Sequence, residues 1–175
     1  MAMHPFLEQF LARQVNTGAA DFTGADARVR VPLREGVVNE FLREMVVAGN
    51  ASLRELRVTI APGNRLDVLV VSPKIPLSGR VTLPCVLDQA LIVSPAPAIR
   101  VQIVREGLAG MMAAMLPMAA RFLPPEVTYA NGVLTIDLGS QLASRGLSWA
   151  IPFIESGSFD TESGLLWVTL HLHAG

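Results

Sequence analysis

The apolar positions change their spacing several times along the chain, and each spacing names an element. In 5–16, Phe6, Leu7, Phe10, Leu11 and Val15 recur at helical intervals, with Glu8, Gln9, Arg13 and Gln14 on the other side. This reads as a short amphipathic helix with Pro5 near its first turn, and "NTGAADFTGAD" follows as a loop. In 27–33, "ARVRVPL", the period drops to two. Arg28 and Arg30 share one face and Val29 and Val31 the other, as in a strand. "REGVVNEFLREMVVAG" returns to helical spacing, with Val37, Val38, Phe41, Leu42 and Met45 on one stripe and Gly49 or Asn50 as its end.

Period two then dominates. "LRELRVTI" and "RLDVLVV" flank "APGN" and read as a hairpin, with Leu56, Val58 and Ile60 on one face and Leu66, Val68 and Val70 on the matching face. "GRVTL", "ALIVS" and "IRVQIV" are further strand candidates, interrupted by Pro84, Pro95 and Pro97, which predicts bent or edge strands. "EVTYANGVLTIDL" carries the clearest turn signal, Asn131-Gly132. "GSQLASRGL" reads as a short helix with Ser140 as its N-cap, and "SWAIPFI" as an irregular segment. "SGSFDTESGLLWVTLHLH" reads as a last hairpin, with Leu166, Val168, Leu170 and Leu172 on one face.

One stretch fits neither amphipathic pattern. In "GLAGMMAAMLPMAARFL", 107–123, Arg121 is the only ionised side chain, and four of the seven methionines of the chain fall here. On a helix, Leu108, Met111, Met115, Met118 and Phe122 form one stripe, and the remainder is almost all apolar too. A helix apolar all round is buried or faces lipid. Pro117 would break it, and 17 residues reach only about 25 Å, short for a bilayer. The expectation is a long or Pro-broken helix inside the protein. Methionine suits a lining that adapts to several ligand shapes, and it equally suits filler in a plain core; both readings stand.

Composition strengthens the apolar theme. Of 175 residues, 51% are hydrophobic and 17% charged, against about 25% charged in an average domain. The length suits a single domain, 1–175, with an N-terminal helix and loop in 1–26 and the body in 27–175. The net charge of -1 gives no general pull on nucleic acid. The start lacks a basic n-region and a long apolar run, so no signal peptide is read and the cytoplasm is the default compartment. An export signal already removed would leave the envelope open.

Little in the chain points to catalysis. His171 and His173 lie two apart on a strand and share a side, but no third ligand is near in sequence, so the expectation is a solvent-facing pair rather than a metal site. Cys85, the single cysteine, reads as a buried apolar residue. There is no nucleophile elbow, phosphate loop or dinucleotide fingerprint. No enzyme activity, cofactor or metal is therefore expected. Arg28, Arg30 and Arg34 cluster, as do Arg54 and Arg57; Arg28 and Arg30 are candidate contacts for anionic head groups.

Two parts of the chain repeat one order of elements. "VPLREGVVNEFLREM" and "LRELRVTIAPGNRLDVLVV" run strand end, helix, connection and hairpin; "IDLGSQLASRGL" and "SGSFDTESGLLWVTLHLH" do the same. This order, with the "VPLREGVVNEFL" and "ANGVLTIDL" stretches, resembles small bacterial members of the tubular lipid-binding superfamily, that of the bactericidal/permeability-increasing protein. The resemblance spans roughly 27–173. It implies an α+β fold, a strongly bent antiparallel sheet wrapped around a long apolar helix with short accessory helices. It also implies non-catalytic binding or transfer of a lipid or other apolar small molecule in an internal cavity. The lining candidates are Leu108, Met111, Met115, Met118 and Phe122, with Phe41, Met45, Trp149 and Phe153. The alternative is an interaction module with a solid core, its apolar surplus used for a homodimer or another partner; peripheral membrane contact stays open as well.

Overall fold

The computed structural model describes residues 24–47, 53–75, 79–104, 126–144 and 146–173. Two antiparallel sheets make up most of it. The smaller has three strands, β1 (Asp26–Arg34), β9 (Leu165–His173) and β8 (Ile154–Glu162), in the order β1-β9-β8. The larger contains β2 (Glu55–Ala61), β3 (Arg65–Val71), β4 (Arg80–Leu87), β5 (Ala98–Ile103), β6 (Val127–Ala130) and β7 (Val133–Asp137), in the order β2-β3-β4-β5-β7-β6. Helix α1 (Glu35–Leu42) follows β1 directly and runs on into a π-helical turn, Arg43–Val47. Helix α2 (Leu138–Ser144) follows β7, and a 3-10 helix, Ser148–Phe153, leads into β8.

The period-two patterns build the core. Leu56, Val58 and Ile60 stand opposite Val70, Val68 and Leu66, the register the alternation predicts. Across β3 and β4, Leu66 faces Cys85 and Val68 faces Leu83; across β4 and β5, Cys85 faces Ile103 and Leu87 faces Val101. The inner face of the small sheet, Leu166, Val168, Leu170 and the buried Phe159, joins the same cluster. Pairing of β4 with β5 covers only Cys85–Leu87, beyond Pro84, which has no N–H to give a ladder. "ALIVS" forms no strand; it contributes single bridges, Ala90 to Ser158 and Ile92 to Ala98.

This architecture overturns the expected sheet wrapped around a long apolar helix. The described residues form two antiparallel sheets whose apolar faces cover each other, and α1, with eight residues, is the longest helix among them. Alternating strands each carry one apolar face, so two sheets can close a core without a central helix. The stretch 107–123 and the helix expected in 5–16 lie outside the described residues.

The turn between β2 and β3 joins the sheets. Gly63 and Asn64 both have positive φ, 75° and 59°. This turns Asn64 inward, where it is 3% exposed. Its N–H donates to Thr161 Oγ1 at 2.7 Å, and its side-chain amide donates to the Phe159 carbonyl at 3.3 Å. Thr161 Oγ1 in turn donates to the Ala61 carbonyl at 2.6 Å. The Gly164 N–H, in the β8–β9 turn, donates to the Ile60 carbonyl at 2.9 Å. The two hairpins that repeat in the sequence are thus bonded to each other through their turns.

Candidate functional site

Two surfaces could carry function, and both belong to the small sheet and to the helix that extends it. The first is its outer face. Even-numbered residues of β1, odd-numbered residues of β9 and even-numbered residues of β8 point outward in rows. Arg34, Leu165 and Glu162 form one row; Pro32, Trp167 and Asp160 the next; Arg30, Thr169 and Ser158 the third; Arg28, His171 and Ser156 the fourth. The register shifts between Ile154 and Ser156, so Glu155 is an extra residue in β8. Such a bulge re-aims a side chain, and Glu155 here reaches the ring of His171.

His171 is held from both sides. Its Nε2 lies 2.6 Å from Asp26 Oδ1 and its Nδ1 lies 2.9 Å from Glu155 Oε2. The central strand is thereby tied to both of its neighbours. Each ring nitrogen thus has a carboxylate oxygen within hydrogen-bond reach. Both ring nitrogens are engaged, which leaves neither to activate Ser156 or Ser158. The carboxylates sit at opposite edges of the ring, so they cannot converge with it on one ion. Among the described residues no group of three His, Cys, Asp or Glu is placed to hold a metal. An open polar groove of about 310 Å³ runs past the ring, lined by Arg28, Ser156, Ser158 and Thr169. Beyond it, the Arg30 guanidinium lies 4.2 Å from the centroid of Trp167, whose Nε1 donates to Glu162 at 3.2 Å.

The second surface is the apolar side of the β1–α1 unit. Val29 and Val31 face inward, in register with Leu170 and Val168, yet each is 40% exposed. Burial falls off across the sheet, from Phe159 on β8 through the half-buried leucines of β9 to β1. In α1 the packing reverses what amphipathicity predicts. Its polar side chains turn to the sheet: Asn39 pairs with both backbone groups of Val58, and Glu35 Oε2 accepts from the Ile60 N–H at 2.9 Å. These groups complete the outer edge of β2, which among the described residues has no strand beside it. Val37 and Phe41 remain 54% and 44% exposed. Among the described residues five large apolar side chains are exposed, and four of them are Val29, Val31, Val37 and Phe41.

The remaining candidates separate. Arg28 and Arg30 come together on the outer face as their alternation predicts, whereas Phe41 belongs to the apolar side. Trp149 and Phe153 are half-buried in the 3-10 helix beneath α2. Met45 lies in the π-helical turn, its side chain outside the described residues, as are Leu108, Met111, Met115, Met118 and Phe122. Arg54 and Arg57 line a separate open concavity of about 420 Å³ with Asn39 and Arg43, and Glu40 and Glu55 pair with Arg43 and Arg57 there. Cys85 is buried, and desolvation followed by the charge of Asp67 pushes its thiol up to about 12. Ser140 is not the N-cap of α2. Asp137 takes that place and accepts from the Ser140 N–H at 3.0 Å and its hydroxyl at 2.6 Å.

The sequence reading missed Asp26 and Glu155. Asp26 lies 145 positions from His171, and Glu155 reaches it only through the bulge; neither leaves a local signal. No family model, curated protein or solved structure matches the chain. No helix among the described residues is long and apolar enough to cross a membrane, which says nothing of strands.

Proposed function

We propose that the protein is a non-catalytic binder of a lipid or similar apolar ligand, and that the inner side of β1 with the outward side of α1 is part of the binding surface. The observation that carries this reading is the concentration of exposed large apolar side chains, Val29, Val31, Val37 and Phe41, in one strand-helix unit. The apolar surplus of the sequence supports the same reading. Burial of acyl chain contributes about 0.8 kcal/mol per methylene, so ten methylenes give roughly 8 kcal/mol before ordering costs, enough for micromolar binding. The basic residues of β1 stand on the opposite face, where a head group bound to the apolar side would not meet them in the same plane.

The test is native mass spectrometry of freshly purified protein with extraction and analysis of any lipid. Near-stoichiometric lipid that is lost in a Val29→Asp/Val31→Asp variant supports the reading. Bare protein that takes up neither added fatty acid nor phospholipid overturns it.

A second reading is a protein-interaction module. The specific observation is that β1 is the edge of its sheet among the described residues, in the order β1-β9-β8. An edge strand with exposed valines is a site for strand addition. A bare chain that retains a co-purifying polypeptide, lost in the same double variant, would favour it.

A further inference from the structure

The outer face of the small sheet is divided by charge. Its β1 side carries Arg28, Arg30 and Arg34, with Asp26 at the far end. Its β8 side carries Glu155, Asp160 and Glu162. Between them β9 presents Leu165, Trp167, Thr169 and His171. The basic and acidic residues share rows: Arg34 is in register with Glu162 through Leu165, and Arg28 with Ser156, next to Glu155, through His171. Strands two apart are about 9–10 Å from each other, so these charges do not neutralise one another directly. Among the described residues none of Arg28, Arg30, Arg34, Asp160 and Glu162 has a counter-ion within 4.0 Å.

We infer that this face binds a second copy of the chain, face to face about a two-fold axis parallel to β9. Such an axis keeps each row at its own height and exchanges the two sides. Arg34 then meets Glu162 of the second copy, Arg28 meets the Glu155 region, and Arg30 lies over the Ser158–Asp160 stretch. Beside the axis Trp167, covered on one face by the Arg30 guanidinium of its own chain, lies opposite the same pair of the second copy, with the Arg34–Glu162 and Arg28–Glu155 contacts to either side. The surface is self-complementary, the requirement for a closed isologous dimer. Pairing β1 edge to edge would instead bring two arginine rows together, and like charges disfavour it.

Three strands about 4.8 Å apart and nine residues long cover roughly 14 by 30 Å, about 400 Å² per copy. The total of about 800 Å² lies below the roughly 1,200 Å² of stable specific interfaces, in the range of weak, transient ones. The dimer is therefore weak and reversible, and with charges at its rim it is sensitive to salt. It uses a different face from the proposed apolar binding surface, so the two can be occupied together.

The test is sedimentation of the full chain over a wide concentration range at low and high salt, with two charge-reversed variants. Arg28→Glu/Arg34→Glu makes both sides acidic; Asp160→Arg/Glu162→Arg makes both sides basic. All four residues are exposed, and circular dichroism confirms that the variants fold. The wild type is expected to self-associate at low salt and to dissociate at high salt. Each variant alone is expected to lose association by roughly tenfold or more. A one-to-one mixture of the two is expected to recover it, because each acidic side then meets a basic one. A wild type that stays monomeric at low salt overturns the inference. So does a dimer indifferent to both reversals, or a mixture that associates no better than its components. If a variant fails to fold, the salt response of the wild type and the milder Arg34→Gln variant, expected to weaken the dimer, still decide the matter.

Discussion

Asn39 and Val58 are bonded to each other as two strand residues would be. The Asn39 Nδ2 donates to the Val58 carbonyl at 2.8 Å, and its Oδ1 accepts from the Val58 N–H at 2.7 Å. A helix side chain thus completes the edge of β2, and Glu35, one turn earlier, does the same for Ile60. Removing either side chain leaves backbone groups of β2 without partners. Asn39→Ala is expected to cost about 1–3 kcal/mol, read as a lower urea midpoint. Asn39→Asp keeps the acceptor but sets a carboxylate against the Val58 carbonyl, so it is expected not to rescue. An Asp variant as stable as the wild type would show that this two-point pairing contributes little.

Gly157 lies where β8 packs closely against the β4–β5 connection. A Cβ there would lie 2.8 Å from Leu91 Cδ2, 3.0 Å from Leu91 Cβ and 3.1 Å from Leu170 Cδ2. The Leu91 N–H also donates to the Gly157 carbonyl at 2.9 Å, so the leucine backbone cannot simply retreat. Gly157→Ala is expected to cost about 1–3 kcal/mol by overpacking. Leu91→Ala in the same chain should relieve the clash, so the double variant should be more stable than the sum of the single losses predicts. Strict additivity in thermal denaturation would place the clash elsewhere.

Cys85 should be silent in the native protein and should make stability fall in alkali. Burial, and then Asp67, raise its thiol from 9.0 to about 12. The native state therefore holds this proton more tightly than the unfolded chain does. The contribution is intact below about pH 9 and is lost as pH rises towards 12, at no more than about 1.4 kcal/mol per pH unit. Cys85→Ala should remove that part of the alkaline slope while costing some packing. At neutral pH a thiol reagent should label only molecules that have opened; fast, complete labelling without denaturant would contradict this account.

Asp137 gives the opposite pH response. Its bonds to the hydroxyl and N–H of Ser140 lower its pKa. A lowered native value means that the contribution is present above the unfolded carboxylate range, near pH 4, and is lost as pH falls through the native value. Asp137→Ala is expected to cost about 0.5–2 kcal/mol at neutral pH, as the loss of an N-cap does. The gap between this variant and the wild type should close in acid. Asp137→Asn, also a good cap, should lose less and show no such closing. A gap that stays constant from pH 7 to pH 2 would detach the cap from the carboxylate charge.

Much of the fold was legible because alternation is local. The period-two runs around "APGN" and "ANG" contain both the strand faces and the turns that join them. Asn131 and Gly132, at φ of 53° and 87°, take the left-handed conformations that such a turn needs. The helical stripe of α1 misled for an equally physical reason. Its amphipathicity is real, but Asn39 and Glu35 on its polar side bond to the backbone of β2, and that contact orients the helix. The candidate site was legible in half. Arg28 and Arg30 share a face by alternation alone, but their neighbours on that face come from residues more than a hundred positions away.

The sequence by itself determined most of the strands, though not the bridges made by "ALIVS", and with them their inward and outward faces, the hairpin turns and the buried state of Cys85. Each of these follows from periodicity or from the backbone demands of a few adjacent residues. Only the tertiary structure decided that two sheets close on each other, that Asp26 and Glu155 grip His171, and that the arginines of β1 and the acids of β8 flank one face. Those outcomes depend on which strands become neighbours and on a single-residue bulge. Distant pairing of this kind is set by the competition among all the apolar faces and free edges at once, and no local stretch of the chain contains it.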